Sequence, residues 1–313
     1  MTDQLSITFL GTGAAVPSLS RGLPALAIVR ENKIILCDCG EGTQLRLAQA
    51  GLSPSKIHTI CISHLHGDHI FGLPGLLTSQ QLFGRTAPLT IYGPPGVIDY
   101  KKAIAQISKY ELQYPVEVIE LNPDVTSDFN IQEFRVRAKN LLHSSPCLGY
   151  RFHESDKPGK FDADKAEKLG IPNGPLRSQL QNGESIVLEN KTIHPRDVLG
   201  PSIPGRIVAY CTDTRPCEAT RELAEQCDVL IHDATFSDEY ADRAEPTFHT
   251  TSRDAARIAA ESRVNQLVLW HVSIRVQGEE EKNLLAQAQQ LFPNTILPND
   301  MESLQVRRRG AAE

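Results

Sequence analysis

The sequence predicts an α/β fold interrupted by one inserted segment, and three observations support this prediction. Strand-like and helix-like segments alternate through most of the 313-residue chain. Between residues 154 and 204 the apolar period fades, apart from one short helix-like piece, and proline and glycine become frequent, which is typical of an insertion or arm. Ligand-type histidines and aspartates follow several predicted strands directly, and the carboxyl ends of strands are where open sheets build their sites.

The predicted elements follow from apolar runs and their boundaries. In the first part of the chain, strands are predicted at LSITFLG, PALAIVR, KIILCDCGEG, IHTICIS and LTIYG, and a helix at TQLRLAQAG, which Gly51 ends. NIQEFRVRAKNLLHS, from Asn130, is predicted as one strand that delivers His143 to a loop. After the insertion, strands are predicted at RIVAYCTD, DVLIHDATF and QLVLWH, and helices at TSRDAARIAAESR and EEEKNLLAQAQQLF.

Composition restricts the compartment and the partners. No apolar run approaches the roughly 20 residues of a membrane span, and MTDQLSITFLG lacks the pattern of a secretory signal, so we expect a cytoplasmic protein with no membrane segment. The net charge of −6 gives no overall attraction to nucleic acid, so any such contact must be local. The seven cysteines are odd in number, and those in apolar runs are predicted to be buried thiols: Cys37, Cys39, Cys61 and Cys211.

The stretch SHLHGDHIFGLPG holds four metal-ligand side chains within six positions. His64 and His66 alternate along an extended chain, so they point the same way, towards one ion. Gly67 allows a sharp turn that aims Asp68 and His69 at a second ion nearby. The alternative is a polar turn in which histidines cluster, but four ligand-type side chains at this spacing are hard to explain as turn chemistry.

Three further ligand-type residues stand at predicted strand ends. They are His143 in LLHS, Asp213 in CTDTR and His271 in LWHVS. Each alone is open to interpretation as an exposed or capping residue. Together with the histidine-rich loop they form a complete set of donors for two metal ions.

The HxHxDH array, followed by His, Asp and His at successive strand ends, resembles the metallo-β-lactamase superfamily. The likeness extends over essentially the whole chain to the short form of the ribonuclease Z family, the tRNA 3′-processing endonucleases, through FLGTGAAVPS, DCGEGTQ, ISHLHGDHIFGLPGLL, GIPNGP, CTDTR, HDATF, HTTSRDAA and HVSIRVQG. It implies one metallo-β-lactamase domain, an αββα sandwich, over residues 1–313. Residues 154–204 would then be a flexible arm, or exosite, that grips tRNA.

The resemblance also implies a metal centre with two Zn²⁺ ions per subunit, and such donors also accept manganese or iron. Two ions at this spacing lower the pKa of water and neutralise charge on a phosphate. The implied ligands of the first ion are His64, His66 and His143. Those of the second ion are Asp68, His69 and His271, and Asp213 would bind both ions.

The implied reaction removes the 3′ trailer from precursor tRNA and leaves a 3′-hydroxyl on the tRNA and a 5′-phosphate on the trailer. Asp68 is the implied general base. His249, which opens HTT, matches the family's proton donor, although without the resemblance it is an ordinary helix-start residue. Asp233 in HDAT stands where the family has a glutamate that orients this histidine, and aspartate is the shorter side chain.

Contacts with RNA are implied at four further positions. Gly174 and Pro175 match a Gly-Pro motif of the family's arm, Arg21 remains from a family loop that discriminates against tRNAs already carrying CCA, and Arg275 is a candidate for phosphate contact. Residues 157–181 are only mildly basic, with five lysines and arginines against three acidic residues. In the family the arm of one subunit grips tRNA that is cut in the other, which implies a homodimer.

Some alternatives stay open. In PSLSRG, Leu19 and Gly22 replace a basic residue and an asparagine of the family's loop, so the sequence does not decide whether precursors that carry CCA are rejected or cut after it. A small-molecule phosphodiesterase on the same scaffold is one alternative function. A non-catalytic RNA-binding protein that keeps its metals for stability is another, and the complete set of seven ligands argues against it.

Overall fold

A computed structural model describes residues 3–189 and 191–308 of the chain. These residues form two compact units. The larger unit comprises the chain up to Phe152 together with Ile207–Arg307, and the smaller unit comprises His153–Arg206 together with Arg308. The bounds of the smaller unit lie within two residues of the predicted insertion.

The larger unit contains two seven-stranded sheets. The first sheet has the order β16-β1-β2-β3-β4-β5-β6, antiparallel from β16 to β3 and parallel from β3 to β6. Its strands are β1 (Leu5–Gly11), β2 (Ala25–Arg30), β3 (Lys33–Cys37), β4 (Ile57–Cys61), β5 (Leu89–Gly93), β6 (Val116–Glu120) and β16 (Ser303–Gln305).

The second sheet has the order β15-β14-β13-β12-β9-β8-β7 and is parallel from β12 to β15. Its strands are β7 (Ser127–Ile131), β8 (Phe134–Asn140), β9 (Leu148–Glu154), β12 (Ile207–Cys211), β13 (Val229–Asp233), β14 (Gln266–Trp270) and β15 (Thr295–Ile296). Between β7 and β8 the structure corrects the predicted single strand from Asn130, because the chain reverses at Gln132 and Glu133 and pairs with itself. Gln132 adopts a φ of 51°, as a tight turn requires.

Helices cover the outer face of each sheet. The helices of this unit are α1 (Thr43–Gln49), α2 (Gly67–Ile70), α3 (Leu73–Leu82), α4 (Val97–Ser108), α8 (Glu218–Ala224), α9 (Ala241–Ala244), α10 (Ser252–Glu261) and α11 (Glu279–Leu291), with 3₁₀ turns at Pro54–Lys56 and Asp238–Tyr240. Within the described residues, no helix is both long enough and apolar enough to cross a membrane.

Three apolar cores establish the layer order of this unit. The first core takes residues from both sheets, including Phe9, Tyr210 and Trp270, and therefore lies between them. A second core joins the first sheet to α1, α3 and α4, and a third joins the second sheet to α8, α10 and α11. The unit is thus an αββα sandwich, as predicted. The predicted buried thiols are confirmed, and all seven cysteines are free.

A close backbone approach fixes the histidine-rich loop against the end of β3. Gly72 donates its N–H to the carbonyl of Cys39 at 2.9 Å, and Cys39 donates to the carbonyl of His69 at 2.8 Å. A Cβ atom on Gly72 would lie 1.9 Å from the carbonyl oxygen of Gly40, so only glycine fits there. This contact brings Asp38, the residue after β3, beneath the loop.

The smaller unit is more ordered than the predicted insertion. It contains the helices α5 (Ala163–Lys168), α6 (Pro175–Gln181) and α7 (Pro195–Val198) and the hairpin of β10 (Ile186–Leu188) with β11 (Lys191–Ile193). Six buried residues form a core of its own: Ala166, Ile171, Leu180, Ile186, Ile193 and Val198. The prediction of only one helix-like piece in this segment is therefore wrong. The other elements were missed because these apolar residues are spread over elements too short to show a period.

Truncation of Leu180 is expected to destabilise the smaller unit. Leu180 is fully buried in α6, so Leu180→Ala should lower the free energy of unfolding by about 2–5 kcal/mol through lost burial and a cavity. Native-state hydrogen exchange of the amides of residues 163–193 measures this change. The exposed Leu169 provides the matched control, because Leu169→Ala should change exchange by far less. Equal effects of the two variants would contradict the assignment of this core.

Candidate metal centre

The structure gathers all seven predicted metal ligands into two adjoining groups at the carboxyl ends of the strands. In each group, one donor atom from every residue lies within 4.8 Å of the donor atoms of the others. The first group takes residues from after β4, β8 and β12, and the second takes residues from the short helix α2 and from the end of β14. The first group is His64, His66, His143 and Asp213. The second group is Asp68, His69 and His271.

Asp213 lies between the two groups. Its Oδ2 is 3.6 Å from Nε2 of His64, while its Oδ1 is 3.3 Å from Nε2 of both His69 and His271. Asp213 adopts a φ of 48°, a left-handed conformation that is uncommon outside glycine. One carboxylate thus presents one oxygen to each group, which is the arrangement that a bridging ligand needs.

The ring nitrogens of His64 fit a metal ligand. Its Nδ1 lies 3.0 Å from the hydroxyl of Ser63, whereas its Nε2 is buried and has no hydrogen-bond partner among the described residues. A buried polar atom without a partner is costly, and a metal ion at this position would use its lone pair. His143 is arranged in a similar way, since its Nδ1 lies 3.3 Å from the carbonyl of Phe248 and its Nε2 faces His66 at 3.3 Å.

Asp38 supports both groups from behind. One of its oxygens lies 2.8 Å from Nδ1 of His69 and accepts hydrogen bonds from the hydroxyls of Ser63 and Tyr210 at 2.8 and 2.7 Å. Its second oxygen accepts from the backbone N–H of Ser63 at 2.7 Å. Since Ser63 in turn contacts His64, a single buried carboxylate orients one histidine of each group, as carboxylates behind metal-binding histidines do.

The electrostatics of the cluster favour a bound cation. Burial lowers the pKa of His69, but the carboxylates of Asp213 and Asp38 outweigh it and hold that pKa well above its ordinary value. Burial raises the pKa of Asp213, and the neighbouring His271, His69 and His64 reverse this and lower it well below its usual range. The carboxylates therefore stabilise positive charge among the nitrogen donors, which a divalent ion would supply.

Asp68 is held as an anion at the accessible side of the second group. Its side chain is 12% exposed, and its Oδ2 accepts the backbone N–H of Ala15 at 2.9 Å and lies 3.4 Å from Nε2 of His271. Burial raises the pKa of Asp68, but hydrogen bonds from His271 and His69 lower it far below its ordinary value. The carboxylate can therefore accept hydrogen bonds from a water or substrate at neutral pH.

The predicted pair of His249 and Asp233 is formed beside the cluster. Nδ1 of His249 lies 2.8 Å from Oδ2 of the buried Asp233, so the shorter aspartate does reach it. Burial lowers the pKa of His249, but the charge of Asp233 outweighs this effect and raises the pKa to about 9. A donor atom of His249 also lies within 4.8 Å of those of Asp213 and His271.

The four predicted RNA-contact residues differ in their surroundings. Gly174, Pro175 and Arg275 are exposed, and Gly174 precedes α6 with a φ of 126°. Arg21 is only 6% exposed, and its guanidinium donates to Glu281 and to the carbonyl of Pro298. These contacts hold the Arg21 side chain inside the protein, and its contact with RNA stays a prediction.

Several residues that orient the ligands were not predicted from the sequence. Ser63 and Thr235 lie next to recognised motifs, so their hydroxyls could have been suspected from position alone. Tyr210 and the carbonyl of Phe248 reach the centre only through tertiary folding, and the sequence carries no local signal for them. A sharp turn was predicted at Gly67. In the structure Gly67 is the first residue of the short helix α2, which carries Asp68 and His69.

Known proteins similar to this chain cover nearly its whole length. The family described as "Beta-lactamase superfamily domain" matches residues 173–272, and that described as "Anti-Pycsar protein Apyc1" matches residues 5–143. The chain is 43% identical to the ribonuclease Z of Bacillus cereus over 308 residues, which are 97% of this chain and 100% of that protein. The ribonuclease Z of Bacillus anthracis gives the same identity and coverage.

Two solved structures are similar as well. Human tRNase Z, short form, has a TM-score of 0.71 and 28% identity, over 96% of this chain and 99% of that chain. The metallo-β-lactamase fold protein YhfI from Bacillus subtilis has a TM-score of 0.69 over 97% of this chain and 100% of that chain. Its identity is 18%, so it supports the fold alone.

The helix-covered pair of sheets, with clustered histidines and aspartates at its strand ends, defines a hydrolase of the metallo-β-lactamase superfamily. Sequence identity to known relatives shows which family of this superfamily the chain belongs to. The chain belongs to the ribonuclease Z family and is accordingly an endoribonuclease.

Proposed function

We propose that this chain is the endoribonuclease that removes the 3′ trailer from precursor tRNA, leaving a 3′-hydroxyl on the tRNA and a 5′-phosphate on the trailer. The proposal draws on the ribonuclease Z relatives and on one observation of the site. Asp213 joins two donor groups directly beside the His249–Asp233 pair. Hydrolysis of a phosphodiester needs both a charged centre for the phosphate and a proton for the leaving oxygen, and this arrangement offers both.

The donor groups suit two divalent ions, which we take to be zinc, with manganese or iron as substitutes. When bound, such ions activate water and neutralise charge on the phosphate. The unpartnered Nε2 of His64 and the shared carboxylate of Asp213 support this assignment. His64, His66 and His143 would hold one ion, Asp68, His69 and His271 the other, and Asp213 both.

Asp68 would orient the attacking water and accept its proton. Its oxygen is fixed by the N–H of Ala15 and remains exposed enough to meet a substrate. As the water oxygen bonds to phosphorus, the bond from phosphorus to the ribose 3′ oxygen breaks on the opposite side. Orientation of the water is the main task of Asp68, because its low pKa makes it a weak proton acceptor.

His249 would donate the proton that the departing 3′ oxygen requires. Asp233 raises the pKa of His249 to about 9 and so favours the protonated ring that a proton donor needs. Asp233 also contacts Nδ1 at 2.8 Å, which leaves Nε2 to carry the transferable proton. The leaving oxygen then becomes the 3′-hydroxyl of the mature tRNA.

The substrate contacts, assembly and compartment extend the proposal. The smaller unit would be the exosite that grips tRNA, with Gly174 and Pro175 exposed at the start of α6, and Arg275 would contact phosphate. We take the assembly to be a homodimer, and Leu82 and Phe83, which are 79% and 83% exposed, would be candidate contacts. The free thiols support a reducing, cytoplasmic location.

Incubation of zinc-loaded protein with a precursor tRNA bearing a 3′ trailer, and with one that encodes CCA, tests this function. We expect one cut after the discriminator nucleotide in the first substrate, abolished by a chelator. Asp68→Ala should slow it by about 10²–10⁴-fold because the water loses its acceptor. Asp99→Ala is the matched control, since Asp99 is 86% exposed on α4. A zinc-loaded chain that leaves both precursors intact would overturn the proposal, and the second substrate reports whether CCA is tolerated.

The Leu180→Ala variant separates this function from the small-molecule phosphodiesterase. If the smaller unit grips tRNA, its loosening should reduce precursor cleavage and spare bis(p-nitrophenyl) phosphate, which needs no exosite. Equal loss of both activities would contradict the gripping role. A wild-type protein that hydrolyses only the small diester would favour the phosphodiesterase instead.

A further inference from the structure

We propose that Thr235 is a positioning residue that links His271 to the Asp233–His249 pair and sets the tautomer of His271, so that Nε2, the nitrogen that faces the other metal donors, carries the lone pair. The inference rests on the proposed function in one respect, which is that His271 binds a metal ion. It adds a hydroxyl that connects the metal centre to the proton donor.

Thr235 lies in the segment that follows β13 and is held there on both sides. Ser273 donates its N–H to the carbonyl of Thr235 at 3.2 Å, and the next residue, Phe236, forms a bridge with Thr251. The side chain is 4% exposed. Its hydroxyl is therefore buried at a fixed position between the end of β14 and the loop that carries His249.

The hydroxyl of Thr235 has three polar neighbours. Its Oγ1 lies 2.7 Å from Oδ1 of Asp233, 2.9 Å from Nδ1 of His271 and 3.2 Å from Nδ1 of His249. An ionised carboxylate can only accept, so the single hydroxyl proton goes to Asp233. Oγ1 is then an acceptor towards His271, and Nδ1 of His271 must carry a hydrogen.

That hydrogen fixes the tautomer of His271. With Nδ1 protonated, the lone pair of a neutral ring lies on Nε2, which is 3.3 Å from Oδ1 of Asp213 and 3.4 Å from Oδ2 of Asp68. Only this tautomer can offer the lone pair of Nε2 to a metal ion held among those oxygens. The other tautomer would direct an N–H into the centre and leave Nδ1 facing the hydroxyl.

The same hydroxyl also completes the contacts of Asp233. Oδ1 of Asp233 accepts from the hydroxyl and from the N–H of Thr235, at 2.7 and 2.9 Å, while Oδ2 faces His249 and the N–H of Thr214. Removal of the hydroxyl would therefore disturb two functions at once. His271 would lose the acceptor that sets its tautomer, and Asp233 would lose one of the donors that hold it against His249.

Thr235→Val tests the inference because valine keeps the shape and removes only the hydroxyl. Competition with a chromogenic chelator should show that one of the two zinc ions binds about 10–100-fold more weakly, the usual cost of losing a residue that orients a metal ligand. Thr235→Ser should restore affinity near the wild-type value. With saturating zinc, kcat for precursor tRNA should remain lower in Thr235→Val, with little change in KM.

Thr220→Val is the matched control, since Thr220 is a buried threonine on α8 whose hydroxyl contacts Cys217. It should bind both ions as the wild type does. Wild-type zinc affinity in Thr235→Val, or a Thr235→Ser protein as weak as Thr235→Val, would overturn the inference, as would a wild-type chain that binds no zinc. If zinc affinity falls in Thr235→Val as expected but neither the wild type nor any variant cuts precursor tRNA, the inference holds and the proposed function fails.

Discussion

Asp213→Asn is expected to weaken both metal sites at once and to slow precursor tRNA cleavage by about 10³-fold or more. This loss corresponds to about 4 kcal/mol of transition-state stabilisation, a reasonable share for two ions acting on one phosphate. The reason is geometric, because the two carboxylate oxygens of Asp213 face different donor groups. An amide keeps the size of the side chain, but it replaces one acceptor by an N–H donor and removes the negative charge.

Elemental analysis of the purified chain gives the direct measurement for this variant. The wild type should carry two ions per chain, and Asp213→Asn should carry fewer than one. Asp128→Asn is the control, since Asp128 lies on the surface in an ion pair with Arg137 and should change neither quantity. Retention of two ions together with wild-type kinetics would exclude a bridging role for Asp213.

His249→Asn is expected to slow precursor tRNA cleavage by about 10²–10⁴-fold and to leave both metal ions bound. Asparagine can contact Asp233 but cannot supply a proton to the departing oxygen. The effect should depend on the leaving group. Hydrolysis of bis(p-nitrophenyl) phosphate should fall much less, because p-nitrophenolate leaves without protonation.

Two outcomes would contradict this role of His249. Loss of an ion in His249→Asn would make His249 a metal ligand, an alternative that its closeness to Asp213 and His271 makes worth measuring. An equal slowing of both substrates would mean that His249 serves binding or structure rather than proton transfer. His58→Asn, on β4 and outside both donor groups, is the control for histidine replacement as such.

The cluster of donor residues was predictable because its members sit where sequence patterns are strongest. Each predicted ligand follows a short apolar strand or lies in the HxHxDH loop, and parallel strands bring their carboxyl ends to one edge. Residue type and position along the chain were therefore enough to propose the donor set. The motif likeness then suggested the distribution of the seven donors, and the distances between their donor atoms are compatible with it.

The supporting contacts could not be predicted, because they join residues that are distant in sequence. Tyr210 reaches Asp38 across the core between the sheets, and nothing near either residue indicates this hydrogen bond. The reversal at Gln132 was missed because neither turn residue is glycine, asparagine or aspartate. The small core around Leu180 was missed because its members come from five short elements and one loop.

The division of the donors between the two sheets has a consequence for biosynthesis. A ribosome delivers the chain from its amino end, so the histidines of the HLH motif emerge while Asp213 and His271 are still untranslated, with the whole smaller unit to be made in between. The first donor group would be complete only after Asp213, which follows β12, has been made, and the second only after His271, which follows β14. Capture of both metal ions would thus report that synthesis has passed His271, and a nascent chain that ends before this residue would be unable to cut RNA.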